Sequence, residues 1–184
     1  MNKDQFWESI DTVIVAYPDH DRESHMNIII EKLLNYSLDD IVDWQMMLEE
    51  YCNAAYRPEV WSAGQVLGAD YTGEGFIDFA CWLVSRGKEA YMDALRDPAT
   101  MFAIPLNGES PNFKQFRFTA YNAYDAKLFH TDPMMSGNLF KAMADHTLAP
   151  QTVEAIRQEI PPCSVFAQSW QRRLNPGASD VKEP

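Results

Sequence analysis

The sequence predicts a mainly α-helical, single-domain, bundle-like globule with at most one or two short strands. Apolar side chains recur at steps of three and four along most of the chain, which is the repeat of one helix face. Pro, Gly and capping residues divide this pattern into segments of helix length. With 184 residues, 46% of them apolar, the chain is long enough to bury a sizeable core. We expect one domain over residues 1–174 and a flexible tail over residues 175–184.

The first two helices are predicted from apolar residues on one helix face. Helix one covers residues 3–16 and ends before Pro18, and helix two follows the polar stretch 19–25. That stretch contains Asp, Glu and His, all of them metal-ligand types. However, His20 and His25 are five residues apart, about 140° around a helix, so they do not share a face. We interpret the stretch as the solvated start of helix two.

Helices three and four each begin with a recognisable signal. The order Ser37-Leu38-Asp39-Asp40 resembles a capping box, because the Ser hydroxyl can accept from backbone N–H groups of the first turn. Pro58 fits the first turn of helix four, where its missing N–H would have no partner, and Gly68 is the predicted stop. The buried face of helix three is predicted to carry Ile41, Trp44, Leu48, Cys52 and Ala55.

The most apolar segment predicts the centre of the core. Every residue from Phe76 to Val84 except Asp78 is apolar, so a helix here would be apolar almost all round and should be buried. Gly87 is the predicted stop. A shorter sixth helix is predicted from Lys88 to the residues before Pro98.

The last third of the chain is less clearly patterned. Residues 105–112 are rich in Pro, Asn, Gly and Ser and predict a loop. The apolar positions of 116–120 alternate, which predicts either a short strand or a helix that continues through Ala126. Further helices are predicted over 133–144 and 151–159.

The charge of the chain lies in its N-terminal third. The net charge is −12, and residues 1–60 alone contain 13 acidic against 4 basic side chains. Such a surface repels phosphate backbones, which argues against nucleic acid as a partner. No apolar run approaches the roughly 20 residues of a membrane span, so no membrane partner is predicted. The opening residues lack the pattern of a secretion signal, so we expect a cytoplasmic protein.

The three cysteines, Cys52, Cys81 and Cys163, form no C-x-x-C pair, and an odd number leaves one over in any disulfide scheme. We therefore interpret all three as reduced thiols, and we exclude a zinc site built on paired cysteines. Cys81 lies in an apolar run, where a thiol pKa is raised, so it is expected to contribute packing.

The stretch from Val60 to Pro98 contains Trp61-Ser62-Ala63, Phe-x-x-Phe-x-x-Trp-Leu at 76–83, Gly87, and Ala94-Leu95 before Asp97-Pro98. In these motifs it resembles the bacterial family called domain of unknown function 4240. Including the Phe6-Trp7 helix, the resemblance covers residues 4–103. The chain departs from the family pattern at Gly73, where an acid is expected, and at Ala80, where an Arg is expected. The resemblance implies a mainly helical fold and carries no assigned chemistry.

These observations favour a non-enzymatic interaction protein of a regulatory or immunity type. An acidic N-terminal face would attract a basic protein partner, although the same charges can simply be solvated helix faces. No nucleotide-binding or hydrolase motif is present, and no cofactor is predicted. The candidate partner-binding residues are Asp39, Asp40, Asp43, Glu49 and Glu50.

The alternative is an enzyme or a binder of a small ligand or metal ion. Three acids flank the turn before the central helix, where they could bind a cation, act as general acids or bases, or merely complement the helix N-terminus. A nearby Trp and an Arg could complete such a site. The candidate residues are Trp61, Asp70, Glu74, Asp78 and Arg86.

Overall fold

The computed structural model of the chain describes residues 1–17, 21–70, 72–131 and 138–163. Within these ranges there is no β-strand, which confirms the mainly α-helical fold class. The predicted tail, residues 175–184, lies outside the described residues. The helices are α1 (Lys3–Ala16), α2 (Arg22–Leu33), α3 (Leu38–Ala54), α4 (Pro58–Val66), α5 (Gly73–Val84), α6 (Lys88–Arg96), α7 (Thr119–Thr131), α8 (Leu139–Ala144) and α9 (Pro150–Glu159), with 3-10 segments at Pro98–Ala103 and Lys114–Phe118.

The helix starts follow from local hydrogen bonding. The predicted capping box before α3 is present, because the Asp40 N–H donates to Ser37 Oγ at 3.1 Å and the Ser37 N–H donates to the Asp40 carboxylate at 3.2 Å. A second capping box, between Asn2 and Gln5, begins α1. Pro58 stands in the first turn of α4, as predicted. Each of these signals is readable from the sequence because it acts within four residues.

Helix α5 lies in the core. Its second half, from Phe79 to Val84, is at most 1% exposed at every position, as predicted for a helix that is apolar on all sides. The described residues include no helix that is both long and apolar enough to cross a bilayer.

The strand alternative for residues 116–120 is wrong. Lys114–Phe118 is a 3-10 helix that leads directly into α7. In a 3-10 helix, side chains three residues apart share a face. Phe113 and Phe116 are accordingly both buried, whereas Phe118 is 40% exposed. The alternation in the sequence arises because Phe118 is an exposed aromatic residue, and periodicity alone cannot show that.

A carboxylate of α9 contacts four side chains from three other helices. Glu159 accepts hydrogen bonds from the Lys3 ammonium at 2.7 Å, from the indole of Trp7 at 3.4 Å and from the hydroxyl of Tyr51, and it forms an ion pair with Lys88 at 3.0 Å. Only 15% of its side chain is exposed. We call this group of five residues the Glu159 cluster. It joins α9 to α1, α3 and α6.

The turn between α5 and α6 requires glycine. Gly87 has a φ of 93°, and a side chain there would put its Cβ 2.7 Å from the carboxylate of Asp11 and 3.1 Å from Ile14 Cδ1. That carboxylate accepts the Lys88 N–H at 2.9 Å and so caps the start of α6 from α1. The turn is therefore restricted both by its backbone angle and by its neighbour.

We expect Gly87→Ala to lower the free energy of unfolding by about 2 kcal/mol, because it adds close contact to left-handed strain. Gly68→Ala is the matched control, since Gly68 has a φ of 96° with no atom within 4 Å of the added Cβ. It should cost about 1 kcal/mol from strain alone. Urea denaturation measures both values. Equal losses in the two variants would show that the approach of Asp11 is not restrictive.

Candidate functional site

The three acids before and within α5 lie at its N-terminal end. Thr72 caps the helix, with its hydroxyl accepting the Gly75 N–H at 3.0 Å, and Glu74 is in the exposed first turn. Asp70 is exposed. Asp78 is half-buried, and burial raises the pKa of its carboxyl group, against the opposing effect of Arg117. The side-chain cap of α5 is thus formed by Thr72, and Glu74 lies in the same first turn, next to the helix N-terminus.

The described residues offer no cluster of three or more His, Cys, Asp or Glu side chains that could hold a metal ion. Trp61 packs against the ring of Phe76, with centroids 4.8 Å apart and planes 12° apart, and Tyr56 meets both rings edge-on. Arg86 follows the opposite end of α5, a helix about 18 Å long. The five candidate ligand-binding residues therefore do not line one cavity.

Two of the five candidate partner-binding residues are already paired within the chain. The Met1 amino group donates to Asp40 at 2.6 Å and to Asp43 at 2.5 Å, and the ring of His146 contacts Asp43 at 2.8 Å. Of the five candidates, Asp39, Glu49 and Glu50 form no ion pair within the described part of the chain. The basic partner stays a prediction from the charge.

Arg86 borders a large cavity. The cavity has a volume of about 600 Å³ and lies between α1, α2, α6, the first 3-10 helix and the segment that follows it. This volume falls within the range of roughly 300–1,000 Å³ that small-molecule sites occupy. The lining residues contributed by these parts include Ile14, His25, Ala90, Thr100, Ile104 and Asn107.

The guanidinium of Arg86 has no carboxylate partner in the described ranges. Its Nε is shielded from water without a hydrogen bond, and its Nη2 donates to Ser85 Oγ at 3.3 Å. The group stands over the ring of Trp82, 5.7 Å from the centroid. On its inner side it borders a small void lined mainly by apolar side chains such as Phe113 and Phe116. Because Arg86 also lines the larger cavity, a counter-ion can approach its guanidinium from there.

The electrostatic setting of Arg86 favours an anion. Burial, and then the nearby cation of Arg22, lower the pKa of Arg86 to about 10. The group is still cationic at neutral pH. The carboxylate whose charge raises the pKa of Arg86, that of Glu109, already forms an ion pair with Arg22. Binding an anion in the cavity would restore the hydrogen bonds and the charge balance that Arg86 lacks.

The part of the cavity lining contributed by α6 is acidic. Glu89 and Asp93 are four residues apart on α6 and so lie on one side of that helix. Asp93 forms an ion pair with Arg96 at 2.6 Å, whereas Glu89 is exposed and forms no ion pair among the described residues. His25 lies at the rim, where its Nε2 donates to the Tyr17 carbonyl at 2.6 Å. The cavity thus presents one cation and two carboxylates.

Comparison with known proteins supports the resemblance on which the sequence analysis relied. The family model described as "Protein of unknown function (DUF4240)" matches residues 1–126. The chain belongs to this family. No curated protein and no solved structure matches the chain. Every residue that lines the Arg86 cavity, from Ile14 to Asn107, lies within the DUF4240 match.

Sequence reasoning named one residue of this DUF4240 cavity, Arg86, and missed the rest of the lining. His25 was interpreted as part of a solvated helix start, and Thr100 and Asn107 lie in segments without a helical pattern. These residues meet because α1, α2 and α6 pack around the end of α5. A signal was present in Glu89 and Asp93, whose spacing of four places both carboxylates on one side of α6.

Proposed function

We propose that the chain is a non-enzymatic binding module for a small carboxylate ligand that also carries an amino group, such as a free amino acid. The observation that carries this proposal is the unpaired guanidinium of Arg86 beside a cavity of about 600 Å³. Arginine binds carboxylates through two parallel hydrogen bonds, and one such geometry uses its two terminal nitrogens. Arg86 lines the cavity and forms no ion pair among the described residues.

The charges of the lining select the ligand class. A phosphate would bring about two negative charges to a cavity that already contains Glu89 and Asp93. A carboxylate brings one, and an ammonium group on the same molecule is attracted to the acidic wall. The apolar parts of the lining, among them Ile14, Ala90 and Ile104, suit the carbon skeleton between the two groups. A zwitterion therefore matches the cavity better than a simple anion.

The test is binding by the full chain and by Arg86→Met. The twenty common amino acids, their deamino acids and inorganic phosphate are screened by thermal shift, and hits are measured by calorimetry. We expect at least one amino acid to bind, with its deamino acid and phosphate binding more weakly. Arg86→Met should weaken binding by at least about tenfold, the effect of losing a charged hydrogen-bond partner.

Arg157→Met is the matched control, because it removes the same side chain from an exposed position on α9 outside the cavity. It should bind as the wild type does. Arg86→Met should also fold at least as stably as the wild type, since it removes a partly buried charge that lacks a partner. The proposal is wrong if no zwitterion binds, or if Arg86→Met binds the best amino acid with unchanged affinity.

A further inference from the structure

A pair of thiols lies in a second cavity, away from Arg86. Cys52 of α3 and Cys81 of α5 have their sulfur atoms 3.9 Å apart, in direct contact. Both line a cavity of about 260 Å³ that also includes Glu49, Arg117 and Tyr121. Cys81 is 1% exposed, whereas Cys52 is half-buried. One thiol is thus reachable from the cavity, and the other lies behind it.

The two sulfurs are at van der Waals distance from each other. A disulfide has its sulfurs about 2.05 Å apart, so they must approach by roughly 2 Å. Rotation about the Cα–Cβ bonds moves a sulfur by such a distance without moving a helix. No third group lies between the two atoms, since they are in hydrogen-bond contact. The sequence analysis interpreted the cysteines as reduced thiols, and the structure adds that two of them are neighbours.

We propose that Cys52 and Cys81 are a redox modification site, at which a hydroperoxide joins them in a reversible intramolecular disulfide. The Cys52 thiolate attacks a peroxide oxygen, the O–O bond breaks, and Cys52 becomes a sulfenic acid while one water is released from hydrogen peroxide. The Cys81 sulfur then attacks the Cys52 sulfur and displaces a second water. Two thiols lose two electrons and two protons, and the peroxide is reduced to two waters.

The groups around Cys52 determine how fast its thiol is oxidised. Contact with Cys81 and burial raise the pKa of the Cys52 thiol, as does the charge of Glu49, whereas the charge of Arg117 lowers it. The reactive thiolate is therefore scarce at neutral pH. Oxidation should be slow in comparison with dedicated peroxide sensors and faster in alkaline buffer. The site responds to sustained oxidation.

The test is peptide mapping of the full chain after exposure to hydrogen peroxide, without reduction. Cleavage after Glu places Cys52 in peptide 51–59, Cys81 in peptide 75–89 and Cys163 in peptide 160–184, because the bond before Pro184 is not cleaved. Peptides 51–59 and 75–89 contain no Met, so methionine oxidation does not confuse their masses. We expect these two peptides linked, at about 2 Da below their summed mass, and released by a thiol reductant.

Three variants assign the roles. Cys163→Ser should form the same link, Cys81→Ser should accumulate a sulfenic acid at Cys52 that dimedone traps, and Cys52→Ser should form no link. The linked wild type should melt about 5–10 °C above its reduced form, because the bond closes a loop in the unfolded chain. The proposal is overturned if the wild type shows no link, if the link involves Cys163, or if it forms only between two molecules.

Discussion

Replacing Glu159 by Ala is expected to lower the free energy of unfolding by about 3 kcal/mol. The substitution removes the anion that accepts from Lys3 at 2.7 Å and pairs with Lys88 at 3.0 Å. The ammonium groups of Lys3 and Lys88 would then lie near each other without the carboxylate that pairs with both. The hydroxyl of Tyr51 and the indole of Trp7 would also lose their acceptor, although both rings stay packed in the core. Chemical denaturation of the variant and the wild type measures the loss.

Glu154→Ala is the control for this prediction. It removes a carboxylate from the same helix, α9, but from an exposed position where the contact is with Gln158 at 2.8 Å, one turn away. The expected change is within about 0.5 kcal/mol. Similar losses in both variants would mean that the Glu159 cluster contributes no more than an ordinary surface position.

The Glu159 cluster also predicts how stability depends on pH. Burial alone would raise the pKa of Glu159, but hydrogen bonds from Lys3, Tyr51 and Lys88 outweigh it and hold the pKa below its usual 4.5. A carboxyl group with a lowered folded-state pKa stabilises the fold above its unfolded pKa and stops doing so as pH falls through the folded value. The stability gap between wild type and Glu159→Gln should therefore be constant above about pH 5 and shrink toward pH 3. A gap that does not change with pH would contradict this explanation.

Gly64→Ala is expected to destabilise the protein by about 2 kcal/mol, although Ala favours helices over Gly by about 1 kcal/mol. An added Cβ would lie 2.7, 2.9 and 3.0 Å from three carbons of the Phe79 ring. That ring is 1% exposed, stacks on Trp82 at 5.7 Å and packs against Phe76 at 6.0 Å, so it has little room to move. The methyl group therefore forces a shift in the centre of the core. Thermal and urea unfolding both report the loss.

Gly73→Ala makes the same chemical change at the start of α5, where no atom lies within 4 Å of the added Cβ. It should leave stability unchanged or raise it by up to about 1 kcal/mol. The difference in sign between the two substitutions isolates the packing contact. If Gly64→Ala is as stable as Gly73→Ala, the Phe79 ring is not tightly held.

The helices could be predicted because their signals are local. The pattern over 3–16 and the capping box at Ser37 involve side chains within a few residues of one another, and both are present in the structure. The buried centre at α5 was predictable because it is apolar on every side. Prediction was least definite at 116–120, where an exposed aromatic residue imitates the repeat of a strand.

The candidate site could not be predicted in the same way. The Arg86 cavity and the contact between Cys52 and Cys81 both join residues from different helices. No spacing in the sequence shows which helix ends meet. The acidic N-terminal third illustrates the same point, since net charge gave no sign that Asp40 and Asp43 are paired within the chain. A net charge counted from the sequence overstates the acidity of a surface when some of the acidic side chains are paired within the fold.

The Glu159 cluster has a consequence for where this protein can be divided. The family model matches residues 1–126, and the lysines, Trp7 and Tyr51 of the cluster lie inside that match, whereas their shared acceptor lies 33 residues beyond its end. A fragment cut at the family boundary would keep four donors, two of them cationic, and lose the anion that they surround. Such a fragment should therefore be less stable than the full chain, and an acceptor supplied by another sequence joined at its end, or by a separate acidic molecule, would offset part of that loss.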